Sequence, residues 1–236
     1  MPLFGRKESN DIGCMHEACR RLAGLKADAV QRQVRALITP VGPDLGTDPV
    51  VRPLVDGLVA ALCIRGGSRG GGLDVLVVPG HTVGHWGVPT EQLWSLALAN
   101  VAAEELSRQK FQNDSGDELH VLMGAGWPGS SQALTLNQAF GGPGGLPNGS
   151  LFTLPSRNVV CALPVRTSTS LQMIPYMMNL TRELAKGDGV PPFAPSIYWY
   201  KDGDIESLNA RLDGEQDARM VVSGRFKEMM DRLPQH

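Results

Sequence analysis

His81 and His85, in the stretch HTVGHWGVPTEQLW, have the spacing that comes nearest to half of a metal site in this sequence. H-x-x-x-H sets two imidazoles on one side of a helix, where they can share an ion. Here Gly84, Gly87 and Pro89 oppose helix before Thr90. If the stretch is extended, the two histidines stand roughly 13 Å apart at about 3.3 Å per residue, too far to ligate one ion at about 2 Å each. Only Asp74 or Glu91 offers itself as a third ligand. The stretch therefore reads as a loop or strand end before a helix beginning near Thr90, and no metal is expected.

The second cluster is CMHEAC, with Cys14, His16, Glu17 and Cys19. On a helix, Cys14 and Cys19 point about 140° apart. His16 and Cys19 could meet one ion, but a structural zinc site needs four ligands in paired spacing. The cysteines read instead as small apolar residues of a helix. Cys63 in LVAALCI and Cys161 in VVCALPV lie in apolar runs and are expected to be buried and unbonded. Four cysteines without C-x-x-C suit a reduced cytoplasmic protein rather than a disulfide framework.

An enzyme reading takes Cys161 as a nucleophile served by His81 or His85, with Arg157 nearby, as in a small hydrolase with a dispersed site. Burial of Cys161 would oppose it by raising the thiol pKa. GGSRGGG and GGPGG lack the Lys-Ser/Thr ending of a phosphate loop. GWPGSSQ carries Ser130 and Ser131 but is not G-x-S-x-G. No cofactor is expected. Arg157, at the entrance of a strand, has a planar fork suited to Asp74, to Glu104 or to an anion on a partner. Asn100 interrupts an otherwise apolar helix among Leu96, Ala97 and Val101, so its amide must find hydrogen-bond partners. Asn100 and Arg157 are both expected to be structural.

The elements that must position these residues follow from periodicity. The chain has 236 residues, 42% of them hydrophobic, enough for a sizeable core. Its net charge of -2 suggests neither a nucleic-acid nor a membrane-surface binder. No apolar run is long enough to span a bilayer, and the start lacks a secretory signal, so the expected location is cytoplasmic. Leu22, Leu25, Val30, Val34 and Leu37 predict helix from Asp11 to Pro40, with Gly24 as an interruption. Residues 58–64 and 73–78 predict a hairpin with a glycine-rich tip, although the first run suits a short buried helix equally well. Thr90 caps the next helix, whose row is Leu93, Ala97 and Val101.

Later, 118–126 reads as a strand, 130–140 is ambiguous, and 151–165 is one strand or two. A helix capped by Thr169 or Ser170 runs to Lys186-Gly187. Residues 195–212 form two strands turning at Asp202-Gly203, and Val222, Phe226 and Leu233 mark a last helix. The fold class is α+β, a mostly antiparallel sheet with long helices packed on it, in a single domain. Two strand-helix halves, 50–110 and 118–212, lie between helical extensions over 11–39 and 214–233. They are either a diverged duplication or the ordinary grammar of α+β proteins.

Three segments in order, LDVLVVPG…WGVPTEQLWSLALANV, LPSRNVVCAL and SIYWYKDGDIESL, resemble the YtpQ-like bacterial domain of unknown function over roughly residues 50–212. Trp86, Gly87, Leu93, Ala97 and Asn100 match its first motif. Pro155, Ser156 and Arg157 match its second, where Asn158 stands in place of the family's Asp. The resemblance implies a cytosolic bacterial α+β protein and carries no catalytic residues. The leading functional expectation is a non-catalytic protein of adaptor, chaperone or immunity type whose partner is another protein. The hydrolase around His81, His85, Arg157 and Cys161 is the alternative, and convergence of those side chains would discriminate the two.

Overall fold

The computed structural model describes residues 17–66, 74–187, 194–213 and 217–234. The predicted first helix is two short ones, α1 (Glu17–Ala23) and α2 (Ala27–Gln33), broken at Gly24. The expectation of helix to Pro40 fails at Val34. Residues Val34–Pro40 are strand β1, paired antiparallel with β3 (Leu58–Gly66) from Val34↔Ile64 to Pro40↔Leu58. VRALITP is apolar on both sides because both sides of β1 are buried. Ala36 and Leu37 belong to one core and Ile38 to another. A short run of this kind has no period that separates helix from strand.

β3 is the centre of the first sheet. β1 lies along one edge; β2 (Val51–Pro53) and β4 (Asp74–Val77) follow one another along the other. The predicted hairpin is thus β3–β4; its tip, 67–73, lies outside the described residues. A single helical turn, α3 (Gly80–Val83), and a 3-10 turn, Gly84–Trp86, lead into α4 (Thr90–Ala102). Pro89 occupies the cap position, so Thr90 opens the helix rather than capping it. Leu93, Ala97 and Val101 are fully buried, and Trp86 Nε1 donates to Leu22 O at 2.9 Å, tying this region to α1.

The second sheet begins with a strand that periodicity does not predict, β5 (Leu106–Gln112), whose residues are mostly polar. β6 (Glu118–Gly124) follows. A 3-10 segment, Gly129–Thr135, and a turn, α5 (Leu136–Ala139), resolve the ambiguous stretch. The run 151–165 is two strands, β7 (Ser150–Ser156) and β8 (Val159–Pro164). Thr167, one turn earlier than expected, caps a 3-10 turn, Ser168–Met173, that enters α6 (Ile174–Gly187).

β9 (Ala194–Lys201) and β10 (Asp204–Ser207) form the Asp202-Gly203 hairpin, with both turn residues left-handed at φ 51° and 95°. The second extension is not wholly helical. β11 (Arg211–Asp213) and β12 (Asp217–Arg219) pair before α7 (Gly224–Asp231), which Ser223 caps.

The order of the second sheet is β10-β9-β7-β8-β6-β5, antiparallel throughout, so the architecture is α+β with two antiparallel sheets. Three apolar clusters hold it. α4 covers the first sheet. Met173, Ile174 and Met177, with Phe226 of α7, cover one side of the second. Between the sheets, Ile38 and Leu58 of the first meet Leu122, Phe152, Val160 and Tyr198 of the second. Burial of such surfaces, at about 25 cal/mol per Å², is the main force joining the two halves.

Candidate interaction surface

The chemistry-bearing residues of the sequence are dispersed. His81 sits in the α3 turn and His85 in the 3-10 turn after it, both exposed. These turns replace the expected loop or strand end, while the helix after them does begin at Thr90. Cys161 is fully buried at the centre of the second sheet, among Leu119, Leu163 and Met177 under α6. Arg157 is exposed at the β7–β8 turn. No group of three or more His, Cys, Asp or Glu able to hold an ion occurs among the described residues. Cys14 and His16 lie outside them, and Cys19 is buried.

Burial pushes the thiols of Cys63 and Cys161 up to about 12. At Cys63 the charge of Arg157 acts the other way, and at Cys161 hydrogen bonds with Thr153 and Thr181 do. A thiol this high is not a nucleophile near neutrality.

The expected carboxylate partners of Arg157 are taken by others. Asp74 pairs with Arg21 at 2.8 Å. Glu104 accepts Arg35 Nε at 2.8 Å and Arg65 Nη1 on both oxygens at 2.9 and 3.0 Å. Neither arginine stood out in the sequence, since the pairing joins residues 69 and 39 apart. Arg157 contributes its backbone carbonyl, which accepts Ser130 N at 3.1 Å. Beside it, Asn158 Oδ1 accepts Gly129 N at 3.1 Å and its Nδ2 donates to Gly124 O at 3.2 Å. A carboxylate could not make the second bond, so an amide at position 158 has a structural use here. Asn100 Nδ2 donates to Gln31 O and Val34 O, both at 2.9 Å, satisfying carbonyls where α2 passes into β1.

What the second sheet offers a partner is an edge. β5 ends the sheet, and among the described residues no strand pairs with its outer side. The opposite edge, β10, has four residues and is tied by Arg225 to Asp204 and Glu206. β5 has seven, with Ser107 to Lys110 exposed in sequence. Between β5 and the start of α6 runs an open groove of about 720 Å³ lined by Phe111, Gln112, Asn113, Gln172, Met173 and Tyr176 and bordered by Lys110. Tyr176 is 46% exposed and meets Phe111 edge-on at 5.9 Å. On the other side, Arg108 and Lys110 lie across from Leu122 and His120.

His120 is 4% exposed, packs edge-on against Phe140 at 4.9 Å, and has no hydrogen-bond partner for either ring nitrogen among the described residues. Its Nε2 is 3.3 Å from Glu118 Oε2, outside hydrogen-bonding direction. Burial, then the charge of Arg108, lowers its pKa, against the pull of Glu118.

No helix among the described residues is long and apolar enough to cross a membrane. No family model, no curated protein and no solved structure matches the chain, so its likeness to the YtpQ-like domain rests on the sequence motifs alone.

Proposed function

We propose that the chain is a non-catalytic protein-binding protein of the bacterial cytoplasm, of the adaptor, chaperone or immunity type, and that its partner docks along β5. The observation that carries this reading is an open seven-residue sheet edge lying beside a groove with an exposed tyrosine. Sheet edges with a flanking groove are a recurrent peptide-docking mode, in which backbone bonds supply affinity and side-chain contacts supply specificity. The hydrolase alternative finds no support in the geometry: Cys161 is sealed beneath α6 while His81 and His85 face solvent beside the first sheet.

The reading is tested by panning random phage-displayed peptides on the folded chain and on its Tyr176→Ala variant. Related peptides should be enriched on the first and lost on the second. If repeated rounds enrich nothing, or if the same peptides bind the variant equally, docking at this edge is wrong.

A further inference from the structure

The ladder beyond each end of β5 tells which of its backbone groups are free. Ala125 N donates to Glu105 O at 3.2 Å and Asn113 N to Asp117 O at 3.1 Å, in the same register as β5–β6. In an antiparallel pair, alternate residues turn their N–H and C=O toward the partner strand. Glu105 and Asn113 point inward, so Ser107, Gln109 and Phe111 do too. Leu106, Arg108, Lys110 and Gln112 then present theirs to the open side.

The two sides of that edge differ in chemistry. On the α6 side an added strand would lie beside Phe111, Met173 and Tyr176, in a groove whose remaining lining includes the uncharged amides of Gln112, Asn113 and Gln172. On the other side the cations outnumber the anions. Lys110 and Arg166 share a single carboxylate, Glu118, at 2.9 and 3.9 Å. Arg108 has no carboxylate among the described residues; it donates to Ala139 O and lies over the Phe140 ring at 5.1 Å. A strand added about 4.8 Å from β5 brings every second side chain within reach of these cations. A second copy of β5 is a poor occupant. It would gather two Arg108 and two Lys110 on one ladder, where like charges destabilise pairing.

We propose that β5 receives, as a seventh antiparallel strand, an extended segment of a partner protein in which acidic residues alternate with apolar ones. This rests on the protein-binding reading above and names the chemistry of the partner. The apolar residues enter the Tyr176 groove, and the acidic residues meet Lys110, Arg108 and Arg166.

The test uses a synthetic peptide alternating Glu with Val and Phe, and its counterpart with Lys for Glu. By hydrogen exchange, the Glu peptide should slow the amides of Arg108 and Lys110 by about tenfold or more, while those of Gln109 and Phe111, already in the ladder, stay as they are. Salt should weaken binding, because the cations are exposed. Lys110→Gln should weaken the Glu peptide severalfold. Lys110→Pro, which also deletes an outward donor that β6 does not use, should abolish binding with the fold intact by circular dichroism.

The exchange measurement needs no variant, so it decides the matter even if Lys110→Pro misfolds. Equal binding of the Lys peptide, or no protection at Arg108 and Lys110, overturns the proposal. If library peptides are still enriched and still need Tyr176 while those amides stay unprotected, docking stands and strand addition falls. If no peptide is enriched, both fall.

Discussion

Arg35 Nε and Glu104 Oε1 lie 2.8 Å apart, with the side chains 12% and 8% exposed. The bond ties β1 to the end of α4, and Arg65 closes on the same carboxylate from β3. Arg35 also uses Nη1 on Arg32 O at 2.7 Å and Val34 O at 3.0 Å. Removing the shared anion leaves two arginines without their counter-charge. Glu104→Gln should cost about 3 kcal/mol, the scale for breaking a buried pair. Arg65 is 38% exposed and adds little to that through screening, so Arg65→Met should cost less than Arg35→Met. Urea unfolding of the three variants measures this. A Glu104→Gln midpoint within the range of ordinary surface substitutions would show that the cluster holds nothing together.

The two asparagines make a sharper test, because each uses the part of its amide that a carboxylate lacks. Asn100 donates to two carbonyls at the α2–β1 junction, and Asn158 donates to Gly124 O while accepting from Gly129 N. Asn100→Ala should lower stability by about 1–3 kcal/mol, as for a lost partner of buried polar groups. Asn100→Asp should be worse, since it sets an anion against carbonyl oxygens. Asn158→Asp keeps the accepting bond and should cost less than Asn158→Ala. Thermal unfolding ranks the four. An unchanged melting temperature in Asn100→Ala would move Asn100 out of the framework.

What the sequence made legible follows from where each signal lives. α4 was readable because its row of Leu93, Ala97 and Val101 has a helical period and a single buried side. The β9–β10 hairpin was readable because Asp202-Gly203 supplies the two left-handed residues its turn needs. β1 was not, because a strand buried on both sides has no alternation and follows directly on a helix, with no residue between Gln33 and Val34. β5 was not, for the opposite reason: LSRQKFQ carries almost no apolar pattern, being an edge strand with four exposed residues in a row. Its place is set by pairing with β6, which no local feature encodes. The proposed docking edge was illegible for the same reason, as Tyr176 and Phe111 meet only after the sheet and α6 have assembled. The roles of Arg35, Arg65 and Glu104 depend on long-range pairing too, whereas the polar break at Asn100 was visible locally.

Cys63 and Cys161 provide a check on burial. Both are fully buried and their thiols stand at about 12. Near neutral pH a colourless-to-coloured disulfide reagent should label neither in the native protein, and should label both once urea unfolds it. Mass spectrometry of the labelled peptides identifies the sites. Fast native labelling at Cys161 would mean that α6 opens readily, and it would revive the hydrolase alternative.

His120 gives the pH dependence its sign. Its pKa is lowered from an ordinary value of 6.5, first by burial, then by Arg108, with Lys110 adding to the effect and Glu118 opposing it. The folded protein therefore holds the ring neutral at a pH where the unfolded chain already takes up a proton. Proton uptake by the unfolded state favours unfolding, so stability falls as pH drops below about 6.5, until the lowered folded value is reached. Glu118 acts in a separate, more acidic window. Its carboxyl is held below 4.5, chiefly by Lys110, and its contribution is lost as pH falls through that lower range. Neither ring nitrogen of His120 has a hydrogen-bond partner among the described residues, so replacing the ring with an apolar one sacrifices no such bond. His120→Phe, which keeps an aromatic ring against Phe140, should match or exceed the parent in stability at pH 8. It should also lose the decline that sets in as pH falls below about 6.5, while keeping the further decline at more acid pH that Glu118 causes. Denaturant midpoints of both proteins across this range give the difference curve. Exposed His81 and His85 are common to both proteins and cancel in it. A difference curve that is flat from pH 8 to 5, or one that rises in the parent's favour on acidification, would show that His120 is not held neutral by its surroundings.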